Sequence, residues 1–251
     1  MKKDTVTSNI KAVVLAAGKG TRLHSDKSDL PKVMREACGK PLLWYVLNAL
    51  SFIEKDDIII VVGYKKDSII NRFDGYTYVE QDKQLGTGHA VMVARDELEG
   101  FNGVILLCYG DMPVIKQDVY KELLKSHFEN NNDCTLLTST SDLDMSFGRI
   151  VRDEDGNFVH VVEEKDCTPD ELKITELNTG VYVFDTPKLL KALEKLGNNN
   201  SQGEYYITDA PAIMKSLGGK IGICFENLGN DIIGVNTEDQ LIMVENMLKE
   251  E

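Results

Sequence analysis

Long hydrophobic runs are missing from this sequence of 251 residues. Its longest apolar stretches, residues 12–17 and 58–62, fall far short of the roughly 20 residues that a membrane-spanning helix needs. The N-terminus has two lysines followed by polar residues, and it lacks the apolar core of a secretory signal. We therefore expect no membrane partner and a cytoplasmic location.

Positive charge is scarce. Lysine and arginine number 28 against 41 acidic residues, which gives a net charge of −13 and argues against a nonspecific nucleic-acid binder. One segment reverses this balance, because residues 19–40 contain six basic and three acidic side chains. The reversal indicates either a local anion site or only a basic surface face.

Cysteine offers neither a disulfide framework nor a zinc site. The five cysteines are an odd number, and none belongs to a C-x-x-C pair. Cys108, Cys134 and Cys224 lie in apolar runs, so we expect buried free thiols. Internal repeats and low-complexity segments are also lacking.

The chain does contain alternating strand and helix patterns. Apolar, β-branched runs alternate with segments of helical spacing, which predicts an α/β fold with a mostly parallel sheet and helices on both faces. Strands are predicted at residues 10–17, 57–62, 76–80, 104–109 and 134–140, and helices at 41–52, 65–73, 88–95 and 116–130.

The pattern changes after Ser141. Residues 147–152 and 158–163 flank Asp155-Gly156, a strong turn signal, so an inserted antiparallel hairpin is predicted. Strands are then predicted at 174–184, 220–225 and 232–235, and helices at 188–196, 204–217 and 237–249, the last with a Thr237/Gln240 capping box.

These elements predict a single domain over residues 1–251. Residues 1–9 are expected to form a flexible tail. A nucleotide-binding half would span about 10–110, and a half for a second substrate about 111–251, with both halves sharing one sheet.

Glycines follow the first predicted strand directly. Gly18-Lys19-Gly20 would let backbone N–H groups approach phosphate oxygens, although glycine after a strand is often only a turn. A dinucleotide fingerprint is excluded because Leu23 stands where it needs glycine, and a P-loop is excluded because G-K-[ST] is absent.

The stretch LAAGKGTR at residues 15–22, followed by PK at 31–32, resembles the signature of the sugar-nucleotide pyrophosphorylases. The resemblance implies a Rossmann-like nucleotidyltransferase fold in which catalytic Arg22 and Lys32 neutralise a triphosphate. Segment 23–30 is a few residues longer than is usual between these motifs. The implied nucleotide-binding residues of this loop are Leu15, Ala16, Ala17, Gly18, Gly20 and Thr21.

A second motif narrows the family. EQDKQLGTGHA at residues 80–90 resembles the corresponding stretch of the N-acetylglucosamine-1-phosphate uridyltransferases. The resemblance implies that Gln81, Gly86 and Thr87 bind uracil. The residues alone leave another interpretation open, in which the loop caps the following helix with Thr87 as N-cap.

Segments of the second half resemble the same family in order and spacing. They are GRIV from 148, VEEKD from 162, ELNTG from 176 and QGEYYITD from 202. The resemblance implies that Gly148, Glu163, Asn178 and Thr208 hold the sugar. Considered singly, each is more typical of a solvated edge residue, and only their joint occurrence in family order favours the sugar site. Phe147 stands where relatives often have tyrosine.

Asp111 follows the buried strand 104–109, at the sheet edge where open α/β folds bind ligands, or it is a turn residue before Pro113. The resemblance implies that Asp111 is catalytic and that Asp111 and Asn236 bind Mg²⁺. The implied substrates are UTP and N-acetylglucosamine 1-phosphate, which would yield UDP-N-acetylglucosamine and pyrophosphate.

Two other functions remain open. The chain could be a uridylyl- or cytidylyltransferase for another phosphorylated substrate, or a silent relative that binds nucleotide and regulates a partner. Bacterial relatives commonly continue into a β-helix of hexapeptide repeats that acetylates glucosamine 1-phosphate and forms trimers. Such repeats are absent, so we expect no acetyltransferase activity. Because the β-helix forms the trimer in those relatives, their oligomeric state does not predict that of this chain.

Overall fold

The computed structural model describes residues 9–20, 23, 30–143 and 145–249. The strands are β1 (Ile10–Leu15), β2 (Glu36–Ala37), β3 (Lys40–Pro41), β4 (Ile58–Val62), β5 (Thr77–Glu80), β6 (Val104–Tyr109), β7 (Cys134–Ser139), β8 (Gly148–Arg152), β9 (Phe158–Val162), β10 (Leu177–Asp185) and β11 (Ile221–Phe225). The helices are α1 (Leu42–Ala49), α2 (Lys66–Ile70), α3 (Thr87–Met92), α4 (Arg95–Leu98), α5 (Gln117–Glu129), α6 (Thr186–Leu193), α7 (Ala210–Ser216) and α8 (Glu238–Lys249).

The main sheet joins strands from both predicted halves. Its order is β11-β7-β10-β6-β1-β4-β5, and β8 and β9 branch from β10. β1 pairs in parallel with β4 and β6, and β11 with β7, whereas β10 runs antiparallel to both β6 and β7. The fold is therefore the mixed, mostly parallel α/β sheet that the sequence predicts.

Alternating side chains of each strand face different helix layers, since the side-chain period of a strand is two. Val14 of β1 belongs to the core cluster that includes residues of α1, α2 and α5. Val13 belongs to the cluster that includes residues of α3, α4, α6 and α7. Helices cover both faces of the sheet, as predicted.

The predicted hairpin is confirmed. β8 and β9 pair antiparallel, and Gly156 has φ +81° in the turn between them. Gly148 and Arg149 at the start of β8 pair with β10. The hairpin is thus attached at the end of β10 where Asn178 lies.

The predicted strand at 232–235 is wrong. Gly229–Ile232 forms a 3₁₀ turn, and Ile233 and Val235 are fully buried beside Val244 of α8 without belonging to a strand. Their apolar character reflects core packing. The helix predicted at 204–217 begins only at Ala210, after the 3₁₀ turn Ile207–Asp209.

The α8 capping box is confirmed, because the Gln240 side chain accepts a hydrogen bond from the Thr237 N–H at 3.1 Å and the Thr237 hydroxyl accepts one from the Gln240 N–H at 3.3 Å.

The expected buried thiols are present, since Cys108, Cys134 and Cys224 are buried free cysteines. Of the predicted tail, residues 1–8 lie outside the described residues, and Asn9 donates from Nδ2 to the Asn102 carbonyl at 3.1 Å. Among the described helices, none has the length and hydropathy that crossing a bilayer demands.

Candidate active site

The carboxyl ends of β1 and β6 place two loops side by side. Leu15 pairs with Tyr109 in the parallel register, and the Gly110 N–H donates to the Leu15 carbonyl at 3.0 Å. The glycine loop that follows β1 and the turn that carries Asp111 therefore leave the sheet together. This is the edge at which open α/β sheets bind ligands.

A cavity of about 230 Å³ opens between the glycine loop and the segment after β5. It contains most of the residues predicted to bind nucleotide, together with Lys32 and Asp111. Its lining is Leu15, Ala17, Gly18, Lys32, Val33, Gln81, Gln84, Gly86, Thr87, Ala90, Tyr109, Asp111 and Glu204. We call it the nucleotide cavity.

Two of the predicted nucleotide-binding residues, Ala16 and Gly20, are not part of this lining, and a third lies outside the described residues. Ala16 is buried behind the loop, where its N–H donates to the Val61 carbonyl at 2.9 Å. Gly20 has φ +66° but is not part of the lining. Thr21, like the predicted catalytic Arg22, lies outside the described residues.

Gln81 is fixed inside the loop that it begins. Its side chain is buried, and Nε2 donates to the Gly86 carbonyl at 3.0 Å and lies 3.1 Å from Nδ1 of His89. Gly86 has φ +109° and ψ 174°, a conformation that is essentially restricted to glycine. The conformation of the loop therefore depends on the amide side chain of Gln81 and on the absence of a Cβ at Gly86.

Residues 204–208 clamp this loop from the second half of the chain. The Gly88 N–H donates to the Tyr205 carbonyl at 2.7 Å, and the Tyr205 N–H donates to the Leu85 carbonyl at 2.9 Å. The Thr87 hydroxyl accepts the Ile207 N–H at 3.1 Å. Thr87 is the first residue of α3 and Gly86 precedes it, so the alternative of Thr87 as the N-cap is not what the structure shows.

A second cavity, of about 180 Å³, lies on the other side of Tyr109 and Asp111. All four predicted sugar-binding residues line it, and so does Asn236. Its lining is Tyr109, Asp111, Met112, Met145, Ser146, Phe147, Gly148, Glu163, Asn178, Thr179, Gly180, Thr208, Ile232, Gly234 and Asn236. We call it the sugar cavity.

Polar groups in the sugar cavity are oriented by their neighbours. Glu163 Oε1 accepts a hydrogen bond from the Thr208 hydroxyl at 2.9 Å, and burial raises the pKa of the Glu163 carboxyl. Asn178 donates from Nδ2 to the Tyr182 hydroxyl at 2.7 Å. Its Oδ1 is buried and has no hydrogen-bond partner among the described residues, so a donor on a ligand would satisfy it.

Lys32, Asp111 and Asn236 meet between the cavities. The Lys32 ammonium donates to Asp111 Oδ2, and it donates to Asn236 Oδ1 at 3.0 Å. Asp111 is only 7% exposed. The Val235 N–H donates to the Asp111 carbonyl at 2.9 Å. Residues separated by about 200 positions in sequence thus form one polar cluster.

Tyr109 is the main residue that the sequence analysis missed. It lines both cavities, and burial raises the pKa of its hydroxyl far above the ordinary value. Gly180 has φ +81°, and a Cβ there would overlap the Tyr109 ring. Its position at the end of a predicted strand, directly before Gly110-Asp111, could have indicated that Tyr109 lies at the site. Gln84 and Glu204 were missed as well, although both lie within motifs already identified.

Comparisons with known proteins identify relatives of this chain. Bifunctional protein GlmU from Clostridium novyi is 43% identical over 240 residues, which are 95% of this chain and 52% of that protein. GlmU from Lactobacillus gasseri is 44% identical over 225 residues, covering 89% of this chain and 48% of that protein. The chain spans about half the length of these curated relatives.

A solved structure shares the fold. The crystal structure of a candidate glucose-1-phosphate thymidylyltransferase from Bacillus anthracis, in complex with sucrose, aligns with a TM-score of 0.74 over 96% of both chains at 19% sequence identity. Residues 11–249 match the family described as nucleotidyl transferase. With a matching sheet and the loops of that family at its carboxyl edge, the chain belongs to the nucleotidyl transferases.

Proposed function

We propose that this chain transfers the uridylyl group of UTP to N-acetylglucosamine 1-phosphate, releasing pyrophosphate. The observation that carries the proposal is the pair of adjoining cavities, which share Tyr109 and Asp111. Two substrates bound in them would meet at Asp111. The resemblance of residues 80–90 to the uridyltransferases, together with the GlmU relatives, favours UTP over other nucleotides.

The nucleotide cavity suits a base at one end and phosphates at the other. Gln81, Gly86 and Thr87 offer amide and backbone groups for uracil, while Gly18 and Lys32 lie near the Asp111 end. A lysine ammonium and free backbone N–H groups stabilise phosphate charge without taking part in bond making. Thr21 and Arg22 stay predicted contributors, outside the described residues.

The sugar cavity offers groups that match an N-acetylated sugar. Glu163 can accept hydrogen bonds from neighbouring hydroxyls, and the free Oδ1 of Asn178 can accept from a hydroxyl or an amide N–H. Gly148 lines the cavity where an added Cβ would crowd Val161 at 2.9 Å. Thr208 fixes the Glu163 carboxylate in place.

The donor set near Asp111 fits Mg²⁺. Asp111 and Asn236 each present a side-chain oxygen to the same ammonium, so both oxygens face one cation position. Mg²⁺ prefers oxygen ligands, and one or two from the protein suffice when substrate phosphates supply others. Within the described residues, no cluster of three or more histidine, cysteine, aspartate or glutamate side chains forms a fuller cage. When bound, the ion would neutralise phosphate charge and orient the oxygens around the α-phosphorus.

The reaction needs positioning more than proton transfer. A phosphate oxygen of the sugar 1-phosphate forms a bond to the α-phosphorus of UTP, and the bond from that phosphorus to the bridging oxygen of the β-phosphate breaks. Pyrophosphate leaves with the bonding electron pair. Because the nucleophile is already an anion, the chain needs no general base, and Lys32 offsets the repulsion between the two anions.

Pyrophosphate release tests the proposal. We expect turnover with UTP, Mg²⁺ and N-acetylglucosamine 1-phosphate to exceed turnover with N-acetylgalactosamine or glucose 1-phosphate, and with CTP or dTTP. Asp111→Asn should lower the rate by about a thousandfold or more while the protein stays folded. Asp118→Asn, a change at an exposed carboxylate of α5, is the matched control and should have no effect.

Two results would overturn the proposal. Undetectable pyrophosphate release with every nucleotide and sugar 1-phosphate tested would favour a silent nucleotide-binding relative. Preference for another sugar 1-phosphate or for CTP would retain the transferase chemistry but replace the substrate pair.

A further inference from the structure

The Lys32 ammonium occupies the cation position between Asp111 and Asn236. It donates to Asp111 Oδ2 and, at 3.0 Å, to Asn236 Oδ1. The side chains of Lys32 and Asp111 are only 16% and 11% exposed. Solvent and salt screen such a pair less than a surface ion pair. A divalent ion that approached these two oxygens would therefore meet a positive charge already in place.

Contacts that do not involve Lys32 hold the backbone of Asp111 and orient the side chain of Asn236. The Asp111 carbonyl accepts the Val235 N–H at 2.9 Å. Asn236 donates from Nδ2 to the Gly234 carbonyl at 3.1 Å, which turns its Oδ1 away from that carbonyl. Its N–H donates to the Gln240 side chain at 2.7 Å. The Asn236 oxygen is therefore preoriented, and the fixed backbone of Asp111 keeps its carboxylate beside that oxygen, so the two can share one cation.

The backbone of Lys32 is anchored, whereas its side chain spans two sites. Lys32 begins the 3₁₀ turn Lys32–Met34, in which Val33 and Met34 are buried. Its side chain also lines the nucleotide cavity, and its Cε lies 4.0 Å from the position of a Cβ on Gly18. Rotation about the four-carbon stem can carry the ammonium from the two oxygens to a phosphate near Gly18.

We infer that Lys32 holds the divalent-ion position of the free protein, and that the ion enters together with the nucleotide. This inference rests on the proposed function. A triphosphate near Gly18 gives the ammonium an alternative anion, and its departure frees Asp111 and Asn236 for the ion that the triphosphate brings. Metal and nucleotide thus favour each other's binding through one side chain.

Metal titration without nucleotide tests this exchange. The probe is Mn²⁺, which prefers the same oxygen ligands as Mg²⁺, and its free concentration is followed by electron paramagnetic resonance. Lys32→Met removes the charge and keeps a similar length. Since a charge a few ångströms away repels the ion strongly, we expect Lys32→Met to bind Mn²⁺ about tenfold tighter than the wild type, or tighter still.

Two further variants show where the gain arises. Lys66→Met breaks another lysine–carboxylate pair, with Glu80, outside both cavities, and should leave Mn²⁺ affinity at the wild-type value. Adding Asp111→Asn to Lys32→Met should abolish the gain. Lys32→Ala should also bind Mn²⁺ more tightly than the wild type. It replaces Lys32→Met as the test variant if circular dichroism shows that the methionine variant is unfolded.

Equal Mn²⁺ affinity in the wild type and the folded Lys32 variant would overturn the inference. A gain in Mn²⁺ affinity that persists after Asp111→Asn is added would overturn it as well. Neither result bears on whether the wild type releases pyrophosphate from UTP. Conversely, a wild type without turnover would reject the proposed function even if the Lys32 variants gained metal affinity. The two failures are therefore distinguishable.

Discussion

Glu163 brings a carboxylate into a largely buried position. Burial raises the pKa of its side chain, and the hydrogen bond from Thr208 opposes that rise. A buried charge that one hydrogen bond compensates only in part is costly, so we expect this residue to destabilise the free protein relative to a neutral one of the same shape. Buried carboxylates of this kind are common in binding sites, where hydrogen-bond donors of the ligand compensate the charge.

Glu163→Gln should therefore weaken sugar binding and leave nucleotide binding intact. The amide keeps one acceptor but replaces the other with a donor, so paired hydrogen bonds from neighbouring hydroxyls are lost. We expect KM for the sugar 1-phosphate to rise about tenfold to a hundredfold, since a lost hydrogen bond to a charged group is worth about 1.5–3 kcal/mol and every 1.4 kcal/mol is about tenfold. Steady-state kinetics with each substrate varied in turn measures this effect.

The neighbouring carboxylate supplies the control. Glu164 belongs to the 3₁₀ turn after β9 and does not line the sugar cavity. Glu164→Gln should leave both KM values unchanged. An equal rise in the KM for UTP with Glu163→Gln would instead indicate a general distortion of the site.

At this scale the sequence grouped residues better than it predicted their contacts. The resemblance assigned Gln81 to one group and Glu163 and Asn178 to another, and the two groups line different cavities. Tyr109 was missed because a tyrosine at the end of an apolar strand has the pattern of a core residue, and only tertiary packing shows that it borders two cavities. The contact of Lys32 with Asn236 joins residues far apart in the chain, so no local pattern could reveal it.

Among the elements, the loop between β5 and α3 depends on close backbone approach. A Cβ on Gly86 would run into the Tyr205 carbonyl oxygen, and the φ and ψ of this residue suit glycine alone. The loop and the clamp of residues 204–208 are consequently one structural unit, although more than a hundred positions separate them in sequence.

Gly86→Ala should lower both stability and nucleotide affinity. Backbone strain and displacement of the clamp together should reduce the free energy of unfolding by about 2 kcal/mol or more, as measured by urea denaturation. We also expect a higher KM for UTP. Gly156→Ala is the matched control, because Gly156 also has positive φ, +81°, but open space around its Cβ position.

The control should cost about 1 kcal/mol of left-handed strain and leave the KM for UTP unchanged. Equal losses of stability in the two variants would show that the contact with Tyr205 contributes nothing beyond the backbone conformation.

Element boundaries show why strand prediction failed at residues 232–235. Ile232, Ile233 and Val235 are fully buried, and a short apolar, β-branched run favours a strand. Ile232 instead ends a 3₁₀ turn, and irregular backbone from residue 233 carries Asn236 to the site. Burial determined the residue types there, and the segment pairs with no strand of the sheet.

For the whole molecule, a buried histidine links stability to pH. His127 of α5 lies 2.9 Å from the Thr135 hydroxyl through Nδ1, and burial lowers its pKa from 6.5 to about 4. The unfolded chain therefore takes up a proton at His127 as the pH falls through 6.5, while the folded protein does not. The free energy of unfolding is therefore unaffected by His127 above pH 6.5. It decreases as the pH falls from there toward 4, because the folded protein keeps this imidazole neutral.

We expect the free energy of unfolding to fall between pH 6.5 and 5, with His127 contributing up to about 1.4 kcal/mol per pH unit. Urea denaturation at several pH values measures the slope. His127→Gln should remove this contribution. His160→Gln, at a side chain that is 41% exposed, should retain it; an unchanged slope in the His127 variant would assign the pH dependence to other groups.

The layout of the sheet was only partly predictable. Parallel pairing of the first strands follows from their alternation with helices. The antiparallel direction of β10 does not, because a strand buried on both faces has the same apolar pattern in either direction. Its direction matters for the site, since it brings Asn178 and Gly180 at the start of β10 to the edge where β6 ends.

The central position of β10 also has a consequence for synthesis on the ribosome. β6 and β7 are not neighbours in the sheet and are joined only through β10. Until residue 185 has emerged, β1, β4, β5 and β6 can pair with one another and β8 can pair with β9, but β7 has no place beside the first group. We therefore expect vectorial folding to proceed in two stages, in which the sheet of β1, β4, β5 and β6 is organised first and both cavities are completed only after residues 204–208 have emerged.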